Sequence, residues 1–326
     1  MLTDLGEAEL AEYESVQTAP DDFDEFWDST LAEARAAGAG AGREVVLERV
    51  PTGLETVDVF DVKFPGFGGQ GIKAWLRVPA HAEGPLPAVV QYVGYGGGRG
   101  RAWENLFWAS AGFAHLHMDT RGQGSTWSVG ATGDPDGSTG PQIPGVMTRG
   151  IESREGYYYR RLMTDAVLAV DAARTLPQVD PERIGVVGGS QGGGLALAVA
   201  ALAEGVTAGA FTTPFLCDYP RAIRITDAHP YKEIAQYLAV HRDRLGEVME
   251  TLRYFDGVNF ARRAQVPAWF SAAMMDPITP PSTIAGAHRA YAGDSALHLW
   301  PFNGHEAGGP DEDALVLAFL ASHLRR

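Results

Sequence analysis

Three side chains, far apart in the chain, have surroundings suited to covalent acyl chemistry. Ser190 stands in Gly188-Gly189-Ser190-Gln191-Gly192, between the apolar run "RIGVV" and the helix-forming "GGLALAVAAL". A Gly-x-Ser-x-Gly pattern in that setting predicts a tight strand-to-helix turn, with glycines where the two backbones crowd. The serine then projects at a helix N-terminus, where N–H groups favour developing negative charge. A serine hydroxyl is un-ionised at neutral pH, so it needs a base, and the base needs an orienting carboxylate. Asp276 closes the apolar run "VPAWFSAAMMD" and opens the loop "PITPP", while His305 lies in "FNGHEAGG" between the last predicted strand and the last predicted helix. Serine, acid and histidine in that chain order are what such a site requires on an α/β sheet. Among the other histidines, His117 within a strand and His288 and His323 within helices read as structural. Asp256 and Asp294 are poorer acids, because one follows a helical segment and the other caps a turn before a strand. Glu306, beside His305, reads as a partner of the following helix dipole.

An attacked carbonyl also needs donors for its oxyanion. The backbone N–H of Gln191 supplies one, and Tyr95 in "VGYGGG" stands where the loop after the strand "AVVQYVG" would supply the other. Tyr95 and Phe215 are the expected lining of a small acyl pocket; Trp108, on a predicted helix, reads rather as core. The glycine clusters fit no phosphate or dinucleotide loop. The chain has no Gly-Lys pair, and Gly-x-Gly-x-x-Gly fits neither Gly94 to Gly100 nor Gly188 to Gly194. "HEAGG" lacks the second histidine of a zinc helix and Cys217 is the single cysteine, so no metal and no other cofactor is expected.

The elements that must position these residues follow from the hydrophobic pattern. "REVVLERV", "ETVDVFDVKF" and "IKAWLRVP" read as antiparallel strands, and from Leu86 short apolar runs alternate with helical segments, as in a parallel sheet with crossover helices. "RAWENLFWASAG" from Arg101 reads as one of those helices. One domain over residues 1–326 is expected, with an N-terminal helical extension at about 1–40 and insertions at about 124–154 and 218–257. Apolar residues make up 45% and charged residues 21%, an ordinary globular balance. The net charge of -15 argues against nucleic acid or an anionic membrane as partner. Cys217 in "PFLCDYP" reads as a buried thiol. The acidic N-terminus has no signal-peptide core and no run is long enough to span a membrane, so a cytoplasmic enzyme is expected. The triad alone leaves open a broad carboxylesterase or a peptidase on the same fold and, more remotely, a binding protein that has lost its chemistry.

The elbow "GGSQGG", with "DTRGQGS", "YYYRRLMTDAV", "DAHPY", "YFDGVNFA" and "NGHE", spans nearly the whole chain and resembles the acetyl xylan esterase and cephalosporin C deacetylase family. The resemblance implies an α/β-hydrolase fold and a serine esterase that removes acetyl groups from xylo-oligosaccharides, other sugar acetates and cephalosporin C. It implies Ser190 as nucleophile, Asp276 and His305 as its partners, and the backbones of Tyr95 and Gln191 as oxyanion hole. It places the family's Arg-Gly-Gln signature on Arg121, Gly122 and Gln123, with Arg121 in a bracing role. It further implies an intracellular homohexamer with active sites facing an internal cavity. Where many members have His-Gly-Tyr, this chain has Val93, Gly94 and Tyr95.

Overall fold

From β4 (Leu86–Tyr92) onward each short apolar run becomes a parallel strand: β5 (Ala114–Met118), β6 (Val179–Gly189), β7 (Val206–Thr212), β8 (Ala268–Ala273) and β9 (Ser295–Trp300). Before them β1 (Val46–Val50), β2 (Val57–Pro65) and β3 (Gly71–Pro79) form an antiparallel meander that joins through β3 to β5. The resulting nine-stranded sheet runs β1-β2-β3-β5-β4-β6-β7-β8-β9, an α/β-hydrolase arrangement. This computed structural model describes residues 2–40, 44–135, 137 and 145–325; residues 136 and 138–144 of the first expected insertion lie outside them. No helix among the described residues is long and apolar enough to cross a membrane.

Both sheet faces are covered, which is why the central strands read as nearly continuous apolar runs. One face carries α4 (Tyr158–Ala173), α5 (Gln191–Leu202) and α10 (Pro281–Ala290), packed into the main core. The other carries α3 (Phe107–Ser110) and α11 (Pro310–Leu324), where Trp108, Val316, Leu320 and Leu324 meet Val89, Val187 and Ala208. The N-terminal extension holds α1 (Glu7–Glu12) and α2 (Phe23–Gly38). In α2 the buried stripe Phe23, Phe26, Trp27, Thr30, Leu31 and Ala34 has helical spacing. It docks on Tyr254, Phe255 and Phe260, so the extension is part of the core. The second insertion folds into α6 (Tyr219–Ile225), α7 (Tyr231–Val240), α8 (Leu245–Arg253) and α9 (Gly257–Ala261).

The helix expected from Arg101 is shorter than the sequence suggested. Buried Arg77 donates to the carbonyls of Ala102 and Arg101, at 3.3 and 3.1 Å, and Trp75 donates to that of Gly100 at 2.9 Å. Asn105 then takes a positive φ of 52°, so regular helix begins only at Phe107. Strand demands thus override local helix propensity.

His115 and His117 on β5 are buried and stacked, 5.5 Å between ring centroids. Burial, His117 and Arg77 push the His115 imidazole well below the usual range; burial, Arg77 and Arg99 push His117 down to about 3. An unfolded histidine takes up its proton near pH 6.5, so as pH falls below that value the unfolded chain binds protons that the folded chain refuses. Stability is therefore lost as pH falls, at up to about 1.4 kcal/mol per pH unit for each ring. Between pH 7.5 and 5, wild type is expected to lose about 2 kcal/mol more stability than His117→Gln, measured by urea unfolding. Equal losses would refute this account of β5.

Candidate active site

The turn at Ser190 is tight because backbone stands where side chains would otherwise be. A Cβ on Gly188 would lie 2.2 Å from the carbonyl carbon of Gly192, and one on Gly192 would lie 2.2 Å from the oxygen of Tyr92. Ser190 itself sits at φ 56°, ψ -122°, a strained conformation for a residue with a side chain. The surroundings impose it. Ser190 N donates to Thr212 O at 3.0 Å, and Ser190 O accepts from Gly194 N at 3.0 Å and Phe215 N at 2.9 Å. Gln191 opens α5, so its N–H lies in the first turn, where no intrahelical acceptor exists.

Asp276 is fully buried at the end of the loop after β8, and the turn that follows wraps its carboxylate. Oδ1 accepts from the N–H groups of Ile278 and Thr279, at 2.7 and 3.1 Å. Oδ2 accepts from the Thr279 hydroxyl at 2.6 Å and lies 2.8 Å from Nδ1 of His305. A carboxylate oxygen that already takes the Thr279 hydroxyl can only accept, so the 2.8 Å contact assigns a proton to Nδ1 of His305 and leaves Nε2 as the basic nitrogen. His305 and Ser190 both line one cavity of about 490 Å³. Glu306 also borders it and closes the loop locally, accepting from Asn303 Nδ2 at 2.9 Å and from Gly304 N at 3.1 Å.

The loop carrying Tyr95 is fixed from several directions. Trp127 Nε1 donates to Tyr95 O at 2.8 Å, and Gly96 N donates to Gln123 Oε1 at 2.6 Å. Gln123 Nε2 in turn donates to Gln191 Oε1 at 2.9 Å, while Gln191 Nε2 donates to Val93 O at 3.1 Å. Gln123 therefore ties the Tyr95 loop to the first residue of α5, a link whose role sequence reasoning left unassigned. Arg121 is buried, donating to Asp165 at 2.5 and 2.8 Å and to Gln70 at 2.7 Å, away from the cavity lining. At Val93 the backbone carbonyl is in use, and the residue is part of the cavity lining.

Of the expected pocket residues, Tyr95 lines the cavity and Phe215 does not. Phe215 is wholly buried, edge-on to Tyr95 with ring centroids 6.5 Å apart, and 4.2 Å from the ring of Tyr231. It backs Tyr95 and holds the elbow through its N–H; that corrects its expected place in the lining. Trp127, Pro230 and Ile278 line the cavity instead. Trp108 packs in the core against Phe113.

One contributor had no signal in sequence. Glu233 of α7 is 4% exposed and accepts from the Tyr95 hydroxyl at 2.6 Å and from Met147 N at 3.1 Å; the same hydroxyl accepts from Val146 N at 2.8 Å. Burial raises the Glu233 carboxyl above the ordinary range, against the pull of the Tyr95 hydroxyl and Met147 N–H. A glutamine amide cannot accept from both partners with both of its atoms. Glu233→Gln is expected to lower kcat for 4-nitrophenyl acetate about tenfold with KM within about twofold, because loosened donors cost transition-state binding. Unchanged kcat in a folded variant would show that Glu233 does not position the loop.

The sequence profile of the acetyl xylan esterase family matches residues 1–323. Acetyl esterase Axe7A of Xylanibacter ruminicola is 29% identical over 269 residues, 81% of this chain and 58% of that protein, so the match spans little more than half that relative's length. The acetyl xylan esterase from Paenibacillus sp. R4 superposes with a TM-score of 0.90 at 35% identity, over 98% of this chain and 100% of that one. Acetyl xylan esterase 1 from Thermoanaerobacterium sp. superposes at 0.87 with 31% identity, over 98% and 99%. A Pyrococcus horikoshii acylaminoacyl peptidase, at 15% identity and a TM-score of 0.61 over 84% of this chain and 43% of its own, shares the fold. A profile spanning residues 1–323, together with solved relatives at 35% and 31% identity matched nearly end to end, shows that this chain belongs to the acetyl xylan esterase family.

Proposed function

We propose that this chain is a serine esterase that removes acetyl groups from acetylated xylo-oligosaccharides and related small acetates, cephalosporin C among them. The observation that carries the reading is the Asp276–His305 pair at 2.8 Å, whose histidine shares a cavity with a strained Ser190 in a chain of this family. In the proposed reaction Nε2 of His305 takes the hydroxyl proton as Ser190 Oγ attacks the acetyl carbonyl. The N–H groups of Tyr95 and Gln191 hold the oxyanion. The intermediate collapses as His305 passes the proton to the departing sugar oxygen, leaving an acetyl ester on Ser190. Water, deprotonated by His305, attacks that ester, and acetate leaves as the serine regains its proton. Tyr95, Pro230 and Ile278 give the acetyl methyl an apolar wall.

A cytoplasmic homohexamer with enclosed active sites belongs to the same proposal. Enclosure admits short oligosaccharides and excludes polymer, so activity on acetylated xylo-oligosaccharides should fall sharply with chain length, in an assembly of hexamer mass by light scattering. A panel of such substrates beside cephalosporin C, butyryl esters and peptide amides tests the reading. Preference for butyryl esters or amides over every sugar acetate would replace it with a broad carboxylesterase or a peptidase.

A further inference from the structure

The cavity reaches past Ser190 in two directions. On the side of β7 and β8 it meets Thr212, Thr213, His229, Pro230 and Ile278; on the side of β4 and β5 its lining includes Gln91, Asn105, His117, Trp127 and Ser128. Gln91 and His117 are register partners on adjacent strands. His117 lines the cavity at 4% exposure, and its Nδ1 is sealed without a hydrogen-bond partner, so a hydrogen bond from this ring to a ligand would be made through Nε2. Oε1 of Gln91 lies 2.8 Å from Nε2 of His115 and serves as its acceptor, which leaves the Gln91 amide N–H groups for the cavity. Asn105 adds an amide at the exposed rim. Burial, with Arg77 and Arg99 nearby, keeps the His117 ring uncharged in the working pH range. These residues therefore offer neutral donors and acceptors and no fixed charge, which suits hydroxyl groups better than carboxylates or amines. An imidazole inside a cleft is costly to leave unmet, and a site that pairs it with a substrate hydroxyl discriminates against ligands that lack one.

We infer that Gln91, Asn105 and His117 form a hydroxyl-binding subsite that takes the sugar ring of an acetylated carbohydrate, while the acetyl methyl lies on the opposite side of Ser190, against Pro230 and Ile278. The inference rests on the deacetylase reading above and names the residues that would make it selective for sugars.

The test is a ratio measured on each variant: kcat/KM for an acetylated xylobiose divided by kcat/KM for 4-nitrophenyl acetate, whose alcohol carries no hydroxyl beyond the ester oxygen. His117→Leu is expected to lower the ratio about tenfold, and His117→Asn to recover part of it. Asn105→Gly, at an exposed position whose positive φ glycine accepts, is expected to lower it about threefold and remains informative if the His117 variants fold poorly. A ratio unchanged in both Asn105→Gly and any folded His117 variant overturns the subsite. Selective loss of 4-nitrophenyl hydroxyacetate relative to 4-nitrophenyl acetate would place the acyl group on this wall and overturn the sugar assignment. A wild type that cleaves 4-nitrophenyl acetate but no acetylated sugar is a separate outcome, and it overturns the deacetylase reading itself.

Discussion

Ser190→Ala is expected to lower kcat/KM for 4-nitrophenyl acetate at least ~10⁴-fold while leaving the fold intact. The turn is held by backbone, through Thr212 O, Gly194 N and Phe215 N, so removing Oγ should leave the thermal midpoint within a few degrees of wild type. What disappears is the atom to which the proposed mechanism assigns the covalent intermediate. The backbone donors at Tyr95 and Gln191 survive the substitution, so a small residual rate from water attacking a bound ester is expected rather than none. Covalent labelling by a serine-directed fluorophosphonate should vanish with the activity. A folded variant that keeps more than about 1% of the activity would remove Ser190 from the proposed mechanism, because triad knockouts cost far more than that.

The elbow was legible in sequence because everything that defines it is local: an apolar run, glycines where strand and helix crowd, and a helix-forming run directly after. Asp276 and His305 were legible for a related reason, since each stands just past an apolar run that could only be a strand. Their meeting at 2.8 Å follows from β8 and β9 being parallel neighbours. Contacts between distant segments left no such trace. Glu233 and Tyr95 are 138 residues apart, and a glutamate on a helix says nothing about a tyrosine hydroxyl it will meet. Phe215 was misjudged as lining because an aromatic after a strand end can face either the cleft or the residue behind it, and only packing decides. Helix propensity misled at Arg101, where carbonyls accept from Arg77 and Trp75.

Those distant contacts give the additions to the basic sheet a common effect. The hydroxyl of Tyr95 is met by Val146 N from the first insertion and by Glu233 from the second. On the other side of the cleft the N-terminal segment grips the acid loop. The Thr3 hydroxyl donates to Asp276 O at 2.8 Å, and Asp4 accepts from Ser282 N at 2.8 Å and from Arg221 at 2.7 Å. Extension and insertions thus fix the two rims between which an ester must sit. Placement of donors and base to within fractions of an ångström is what such bracing secures.

Asp276→Asn tests the other half of the mechanism, and its outcome follows from counting donors. Ile278 N and Thr279 N both point at Oδ1, so an asparagine keeps its oxygen there and places its NH₂ where Oδ2 stood. That NH₂ faces Nδ1 of His305 and the Thr279 hydroxyl, which previously donated to this site. His305 must then carry its proton on Nε2, so the nitrogen needed to take the Ser190 proton is no longer a base. The reverse orientation would set the NH₂ against two backbone N–H groups. A fall in kcat of about 10⁴-fold is therefore expected, with KM for 4-nitrophenyl acetate little changed, since substrate contacts are untouched. Thr279→Val, which removes one donor but leaves the carboxylate to orient His305, is expected to cost only about tenfold. The order of the two effects carries the argument: if the valine variant were as damaged as the asparagine variant, Asp276 would be acting through the loop's shape. If the folded asparagine variant kept kcat within about tenfold of wild type, the tautomer of His305 would not depend on Asp276, and the proposed pairing would be wrong.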